Sequence, residues 1–455
     1  MRSPDSLVVS DGKVLTANGW SICDVFLADG RIVSAGPDVG TSGTGGGGPD
    51  EPTEVGTAGA GAERAALRLF ALHEETATVA GGGAPATGGD SPASSGSRLD
   101  ATGLLVVPGF LDLQCNGAAG VDITTEPEGL WEVAAALPRW GVTAWLPTVV
   151  TAPATIRARA LAALRSGRGR ESPGERPVAV PLGLHLEGPF LAPERRGAHP
   201  AEHLRSPDPT LVAEEGWSRL AGVSLVTLAP ELPGALDVVR DLVAAGVVVS
   251  AGHSSASAER STEAIDAGVT AVTHLFNTMA PLHHREPGLA GVALTDERVR
   301  VGAIADGVHL HPAAVALAAR ALGERLCLVT DAVAALGMPA GRVPLGTLEA
   351  FATPDGVRLA DGTLAGSDLS LDRAVRNLMA FAGVSLSAAV SAVTASPAAL
   401  LGLDDRGVIR PGAVGDLVLL DPSNRVVATV IGGRVAFDRR VSSPEGTNLR
   451  RLERS

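Results

Sequence analysis

Nine of the ten histidines fall between His185 and His311 of a 455-residue chain. Several of them stand where an apolar, strand-like run stops. His185-Leu186-Glu187 ends one run, and His253 follows another in Ser-Ala-Gly-His. His274 ends a third in Thr-His, Asp306 and His309 follow a fourth, and Asp331 ends a fifth in Val-Thr-Asp. Taken singly, each residue has an ordinary structural use: a histidine after a strand satisfies a local hydrogen bond, and Asp331 in Thr-Asp-Ala can begin a helix as its cap. Taken together, two imidazoles and a carboxylate meeting at one point suit a divalent transition metal with a position left open for water.

What must bring them together is the alternation between Pro108 and about residue 400. Eight strand-like runs occur there: Phe110–Gln114, Thr143–Pro147, Val178–Leu186, Ser224–Leu228, Val247–Ser250, Ala271–Thr273, Val299–Ile304 and Leu326–Thr330. Between them lie the helix candidates Glu128–Leu137, Ala152–Leu164, Ala235–Ala244, Ala256–Ala267 and Pro312–Leu322. Apolar strands alternating with helices predict a parallel sheet wrapped by helices. Eight of them predict a (β/α)8 TIM barrel, with a doubly wound sheet as the alternative. In a barrel, the histidines and acids at the strand ends share one rim, where active sites of this fold lie.

The two ends of the chain read differently. Residues 1–37 and 98–107 carry short strands parted by Asp-Gly turns, and residues 401–440 repeat the style around Gly432-Gly433, so both termini are expected to form one small β-sandwich domain. Residues 38–97, dense in Gly, Ala, Thr, Ser and Pro, predict a mobile surface insertion without function, with one helix candidate from Ala62 to Glu75. Residues 441–455 are read as a tail.

Composition removes several classes. A net charge of −13 speaks against sequence-independent nucleic-acid binding. The one lysine is Lys13, which excludes a P-loop and lysine Schiff-base chemistry. Cys23, Cys115 and Cys327 are odd in number and far apart, so neither a disulfide framework nor a thiolate zinc site is indicated. With no long apolar stretch, the expectation is a cytoplasmic protein that does not enter a membrane.

Pro108-Gly109-Phe110-Leu111-Asp112, His185-Leu186-Glu187-Gly188-Pro189-Phe190, Gly252-His253-Ser254, Thr273-His274-Leu275-Phe276-Asn277-Thr278-Met279, Ala305-Asp306-Gly307-Val308-His309 and Val329-Thr330-Asp331-Ala332 resemble the N-acetylglucosamine-6-phosphate deacetylase family of the amidohydrolase superfamily. His-Leu-Glu-Gly-Pro-Phe together with Thr-His-Leu-Phe-Asn carries the specificity of the likeness. The resemblance implies a metal held by Glu187, His253 and His274, with Asp331 as catalytic acid/base and His199 and His309 contacting the substrate. A bound metal lowers the pKa of its water enough to attack an amide at neutral pH, and an acid/base must return a proton to the departing amine. His199 would polarise the carbonyl oxygen, although on its own it reads as a surface-loop histidine.

Many superfamily members place His-x-His after the first strand to hold a second metal. Here the positions read Gln114-Cys115-Asn116, and neutral amides are poor ligands beside imidazole, so one divalent ion is expected, Zn, Fe, Co or Mn. For the phosphate, the resemblance implies Arg285 supplied by the neighbouring subunit of a homodimer, with Asn277, Thr278 and nearby backbone N–H groups as further contacts. A plain ion pair of Arg285 with Glu286 or another acid is the alternative. Gly366-Ser367-Asp368-Leu369-Ser370 resembles the family's loop over the sugar, or else Ser367 or Asp368 caps the helix Leu371–Phe381. The implied reaction is hydrolysis of N-acetyl-D-glucosamine 6-phosphate to D-glucosamine 6-phosphate and acetate, in amino-sugar catabolism or cell-wall recycling. The alternatives are the N-acetylgalactosamine 6-phosphate epimer as substrate, or a mononuclear deaminase on the same scaffold.

Overall fold

The computed structural model describes residues 6–36, 97–167, 176–346 and 348–441. The expected insertion, with its helix candidate Ala62 to Glu75, and the C-terminal tail beyond residue 441 lie outside the described residues.

The apolar runs become eight parallel strands: β1 (Phe110–Cys115), β2 (Val142–Val150), β3 (Leu184–Glu187), β4 (Val223–Leu228), β5 (Val248–Ala251), β6 (Ala271–Val272), β7 (Arg300–Ala303) and β8 (Leu326–Leu328). Each pairs in parallel with the next. The ring closes just past β8, where Cys115 bridges Ala332 and Asp331 N–H donates to the Gln114 carbonyl at 2.9 Å. Trp145, Leu146, Leu184 and Leu186 are fully buried, as strands covered on both faces require. The interior also holds a belt of polar groups beneath the rim. His185 Nε2 lies 2.8 Å from Thr227 Oγ1, which lies 2.7 Å from Thr273 Oγ1, itself 2.5 Å from Ser250 Oγ. Chains of this kind satisfy buried hydroxyls that would otherwise destabilise the barrel.

The third run does not form one strand. It divides into Val180–Pro181 and Leu184–Glu187 at Gly183, whose φ is 116° and where a Cβ would lie 2.0 Å from Ser224 Oγ. Only glycine tolerates both conditions. Several elements escape the periodicity reading, among them a buried helix and a three-stranded sheet. Helix Gly288–Thr295 follows β6 and is buried on nearly every side, so it has no amphipathic stripe to reveal it. After β8, strands Gly341–Leu345, Leu348–Thr353 and Gly356–Leu359 form an antiparallel sheet packed on Val333, Ala334, Ala335 and Ala365.

The terminal strands make a single eight-stranded sheet. Its long strand Ser6–Thr16 pairs with Ser97–Asp100 through its first half and with Leu105–Pro108 through its second, and its antiparallel pairing with Gly19–Ala28 shifts register between Val9 and Gly12. A bulge of this kind bends a strand, and the two halves enclose a core of Val9, Val14, Val25, Leu27, Val106, Leu417, Leu419, Ala428 and Val430. Asp29-Gly30 and Gly432-Gly433 both take positive φ, as tight hairpin turns require. Among the described residues no helix is long and apolar enough to cross a membrane.

Candidate active site

The strands end where the chain must turn sharply, and three of those turns are left-handed at non-glycine residues. φ is 50° at His253, 29° at His274 and 47° at Asp331. Such conformations are sparsely populated and cluster where a side chain must be aimed. Here they bring residues from β3, β5, β6 and β8 to one cavity of about 260 Å³. Glu187, His199, His253, His274, Asn277, Thr278, His309 and Asp331 all line it.

Glu187 Oε1 lies 3.0 Å from His274 Nε2 and 3.2 Å from His253 Nε2, and the two nitrogens are 3.1 Å apart. His253 Nδ1 donates to the Arg195 carbonyl at 2.8 Å. The proton of the neutral ring is thereby assigned to Nδ1, and Nε2 presents a lone pair. That lone pair faces a carboxylate and a second imidazole, so three electron-rich atoms converge on one point. A divalent cation fits this donor set. Burial would push the Glu187 carboxyl up, but the flanking His253 and His274 rings outweigh it and hold it well below the usual carboxylate range. In His274, burial opposes ionisation while the Glu187 carboxylate prevails and raises its pKa.

His199 is not a surface residue; it is 5% exposed. Its Nε2 stands 3.8 Å from Glu187 Oε2, and Glu187, His199 and His253 each offer a ligand atom within 4.8 Å of the others. Distance alone would admit it as a metal ligand, but its backbone hydrogen bond points to a different use. Thr151 N–H donates to His199 Nδ1 at 3.2 Å, with Thr151 Oγ1 at 2.9 Å. Nδ1 is therefore the acceptor, and Nε2 carries the hydrogen into the cavity. Burial, reinforced by His253, drives the pKa of His199 down to about 3, so the ring is a neutral hydrogen-bond donor.

Asp331 caps no helix. Its Oδ1 accepts from Asn116 Nδ2 at 2.7 Å and from Gln114 Nε2 at 3.2 Å, and Gln114 Nε2 also donates to Glu187 Oε1 at 3.0 Å. The two amides at the end of β1 form a clamp between the carboxylates, a role that the spacing Gln-x-Asn does not disclose. Burial, then the charge of Glu187, push the Asp331 pKa up to about 6, close to where an acid/base must work. His309 Nδ1 donates to Asp306 Oδ2 at 2.7 Å, which leaves Nε2 for the cavity. Asn277 Nδ2 donates to the carbonyls of His274 and Leu275, holding the turn on which Thr278 stands at φ 52°.

Other candidates are not brought in, apart from Gly366 of the Gly366–Ser370 loop, which lines the cavity. His185 points below the rim, where Nδ1 lies 3.1 Å from the Leu113 carbonyl and burial lowers its pKa to about 4. Arg285 is exposed, with Nη1 3.0 Å from His284 Nε2, and does not line the cavity. Its alternative pairing with Glu286 is not seen among the described residues, because Glu286 accepts from the backbone N–H groups of Ala258 and Gly288. Ser367 and Asp368 do not cap the last barrel helix, whose N-cap is Ser370. Instead Ser367 Oγ donates to the Thr330 carbonyl at 2.6 Å, and Asp368 pairs with Arg373. The cavity wall also includes Leu345, Thr363 and Leu364 from the sheet after β8 and its return; the Asp355-Gly356 and Asp361-Gly362 turns are sequence signals that could have announced them.

The sequence matches the amidohydrolase family over residues 105–436. It is 40% identical to the N-acetylglucosamine-6-phosphate deacetylase of Bos taurus across 76% of this chain and 87% of the relative. It is 41% identical to the N-acetylgalactosamine-6-phosphate deacetylase of Escherichia coli O157:H7 across 73% and 88%. The crystal structure of a variant N-acetyl-D-glucosamine-6-phosphate deacetylase from Mycobacterium smegmatis, in complex with N-acetyl-D-glucosamine-6-phosphate, superposes with a TM-score of 0.75 at 31% identity, covering 96% of this chain and all of that one. The chain belongs to the amidohydrolase family, and within it to the N-acetylglucosamine-6-phosphate deacetylase group.

Proposed function

We propose that this protein hydrolyses N-acetyl-D-glucosamine 6-phosphate to D-glucosamine 6-phosphate and acetate, with one divalent ion, Zn, Fe, Co or Mn, held by Glu187, His253 and His274. The observation that carries the reading is the opposite setting of two neighbouring imidazoles. His253 is fixed to offer a lone pair and His199 is fixed to offer an N–H, which is the division of labour a metal-assisted amide hydrolysis needs. A divalent ion in that position polarises the acetyl carbonyl and lowers the pKa of water.

The chain's own residues supply the rest. His199 Nε2–H donates to the carbonyl oxygen as negative charge gathers on it. Asp331, clamped through Oδ1 and with its pKa near 6, takes a proton from the attacking water and delivers it to the amide nitrogen, without which the amine cannot depart. His309 and the Asn277-Thr278 turn face the sugar phosphate. No arginine or lysine lines the cavity among the described residues. We therefore assign the phosphate's cation to Arg285 of a second copy in a homodimer, because its planar guanidinium suits phosphate and is exposed. Three unpaired, buried cysteines support a reducing, cytoplasmic setting.

Steady-state acetate release from the two hexosamine epimers, together with elemental analysis of protein purified without chelator, tests the proposal. One metal per subunit and a higher kcat/KM on the glucosamine substrate are expected. Equal or reversed preference would overturn the glucosamine assignment, a reversal pointing to the galactosamine epimer, and ammonia release would make the enzyme a deaminase.

A further inference from the structure

His253 is held on a left-handed turn, and the group that holds the turn is a carboxylate the chemistry above does not use. Glu231 lies three residues beyond the end of β4. Its Oε1 accepts from Ser255 N–H at 2.5 Å and its Oε2 accepts from Ser254 Oγ at 2.7 Å. Ser255 Oγ accepts from Arg195 Nε at 2.9 Å, and the carbonyl of that same Arg195 receives the Nδ1–H of His253. Ser254 in turn donates its N–H to Thr278 and accepts from the N–H of Ala280, both at 3.1 Å. The loops after β3, β5 and β6, which carry His199, His253 and Thr278, thus meet at two serines gripped by one side chain.

We infer that Glu231 is a positioning residue for the metal centre: it fixes the Ser254-Ser255 turn and, through Arg195, the Nδ1 hydrogen bond that aims His253 Nε2 at Glu187. The inference rests on the reading of His253 as a metal ligand. A carboxylate suits the position because it offers two charged acceptor oxygens to two donors on adjacent residues. An amide keeps one acceptor and a methyl group keeps none. With the grip lost, the turn relaxes toward the ordinary extended region, and the imidazole leaves its place in the cage. Outer partners that orient a ligating histidine through its second nitrogen act on affinity in this way.

The test is zinc affinity, measured by competition with a chromophoric chelator on the folded full-length protein, with circular dichroism as the check on folding. Glu231→Ala is expected to weaken zinc binding by about 10- to 100-fold, and Glu231→Gln by less. Ser254→Ala is expected to weaken it modestly and to add little in the Glu231→Ala background, because both remove the same bond. A role in fold stability alone would lower the melting temperature and leave the zinc constant of folded protein within about two-fold of wild type; that result overturns the inference. If Glu231→Ala does not fold, unchanged affinity in both Glu231→Gln and Ser254→Ala overturns it equally. His253→Ala is the separate control. Wild-type affinity in that variant would sink the ligand assignment itself, whereas its loss beside an unaffected Glu231 series would sink the positioning role alone.

Discussion

Replacing His199 by alanine separates two roles that distance alone leaves open. Glu187 and His253 could share a metal with His199 as readily as with His274 if only spacing counted. The Thr151 N–H bond to Nδ1 makes His199 a donor at Nε2 instead. The lowering of its pKa from 6.5 to about 3 disfavours the imidazolium by roughly 5 kcal/mol. At pH 7 about one ring in 10⁴ is charged, and a divalent ion beside it pushes the same way. The substitution therefore removes one neutral hydrogen-bond donor aimed at the developing oxyanion, and removing such a donor costs about 10²–10³ in kcat, or about 3–4 kcal/mol. Water entering the vacated space supplies part of the bond, which favours the lower end. The assay is kcat for acetate release beside metal per subunit, both measured on folded protein. A His199→Ala variant that loses its metal in step with its activity would refute the tautomer argument and make His199 a ligand.

Asp331→Asn is expected to keep the metal and lose about 10²–10⁴ in kcat, since asparagine tolerates the left-handed backbone but cannot shuttle a proton; Glu187→Gln is expected to lose the metal as well, by elemental analysis. Asp112, buried beneath the rim against Thr330, has its pKa raised by burial to about 7. A raised carboxyl pKa stabilises the fold fully below the unfolded value near 3.9, and that stability is lost as pH rises through about 7. Denaturant unfolding at pH 5 and pH 8 should therefore show the stability gap moving by about 3 kcal/mol in favour of Asp112→Asn over that interval, and a gap independent of pH would contradict it. Arg285→Ala should raise KM for the phosphorylated sugar, and mixing it with Asp331→Asn should restore part of the activity if the arginine acts across a dimer. No recovery in re-formed heterodimers would place the phosphate contact elsewhere.

The barrel was legible because each strand buries a short apolar run and each run stops at a polar residue on the same rim. Glu187, His253, His274 and Asp331 could be read for that reason: they occupy strand ends, and periodicity finds strand ends. His199 could not, because it sits in a loop after β3 with no period, and only the fold reveals that Thr151 and Glu187 enclose it. Gln114 and Asn116 were visible as absent ligands but not as donors, since a hydrogen bond from the end of β1 to Asp331, at the closure of the ring, spans more than two hundred positions. Glu231 was within reach. The Ala-Pro-Glu after β4 is another strand end bearing an acid, and the same rule that found Asp331 points to it. The helix Gly288–Thr295 was hidden by burial on nearly all sides, and residue types alone cannot place a segment that has no wet face.

The amide clamp bears on the proposal of a single cation, because Gln114 and Asn116 put neutral amides where further metal ligands would have to stand. Glu187 and Asp331 both reach for Gln114 Nε2, and their mutual repulsion is one cause of the high pKa of Asp331. A second cation between them would relieve the repulsion and drive that pKa down, because a nearby positive charge favours the carboxylate. Neutral N–H donors from Gln114 and Asn116 fix the position of Asp331 Oδ1 without adding positive charge beside it, so burial and the neighbouring Glu187 still push the carboxyl up, toward the range an acid/base needs. Gln-x-Asn at the end of β1 is on this reading a device for tuning the acid/base, not a damaged metal motif.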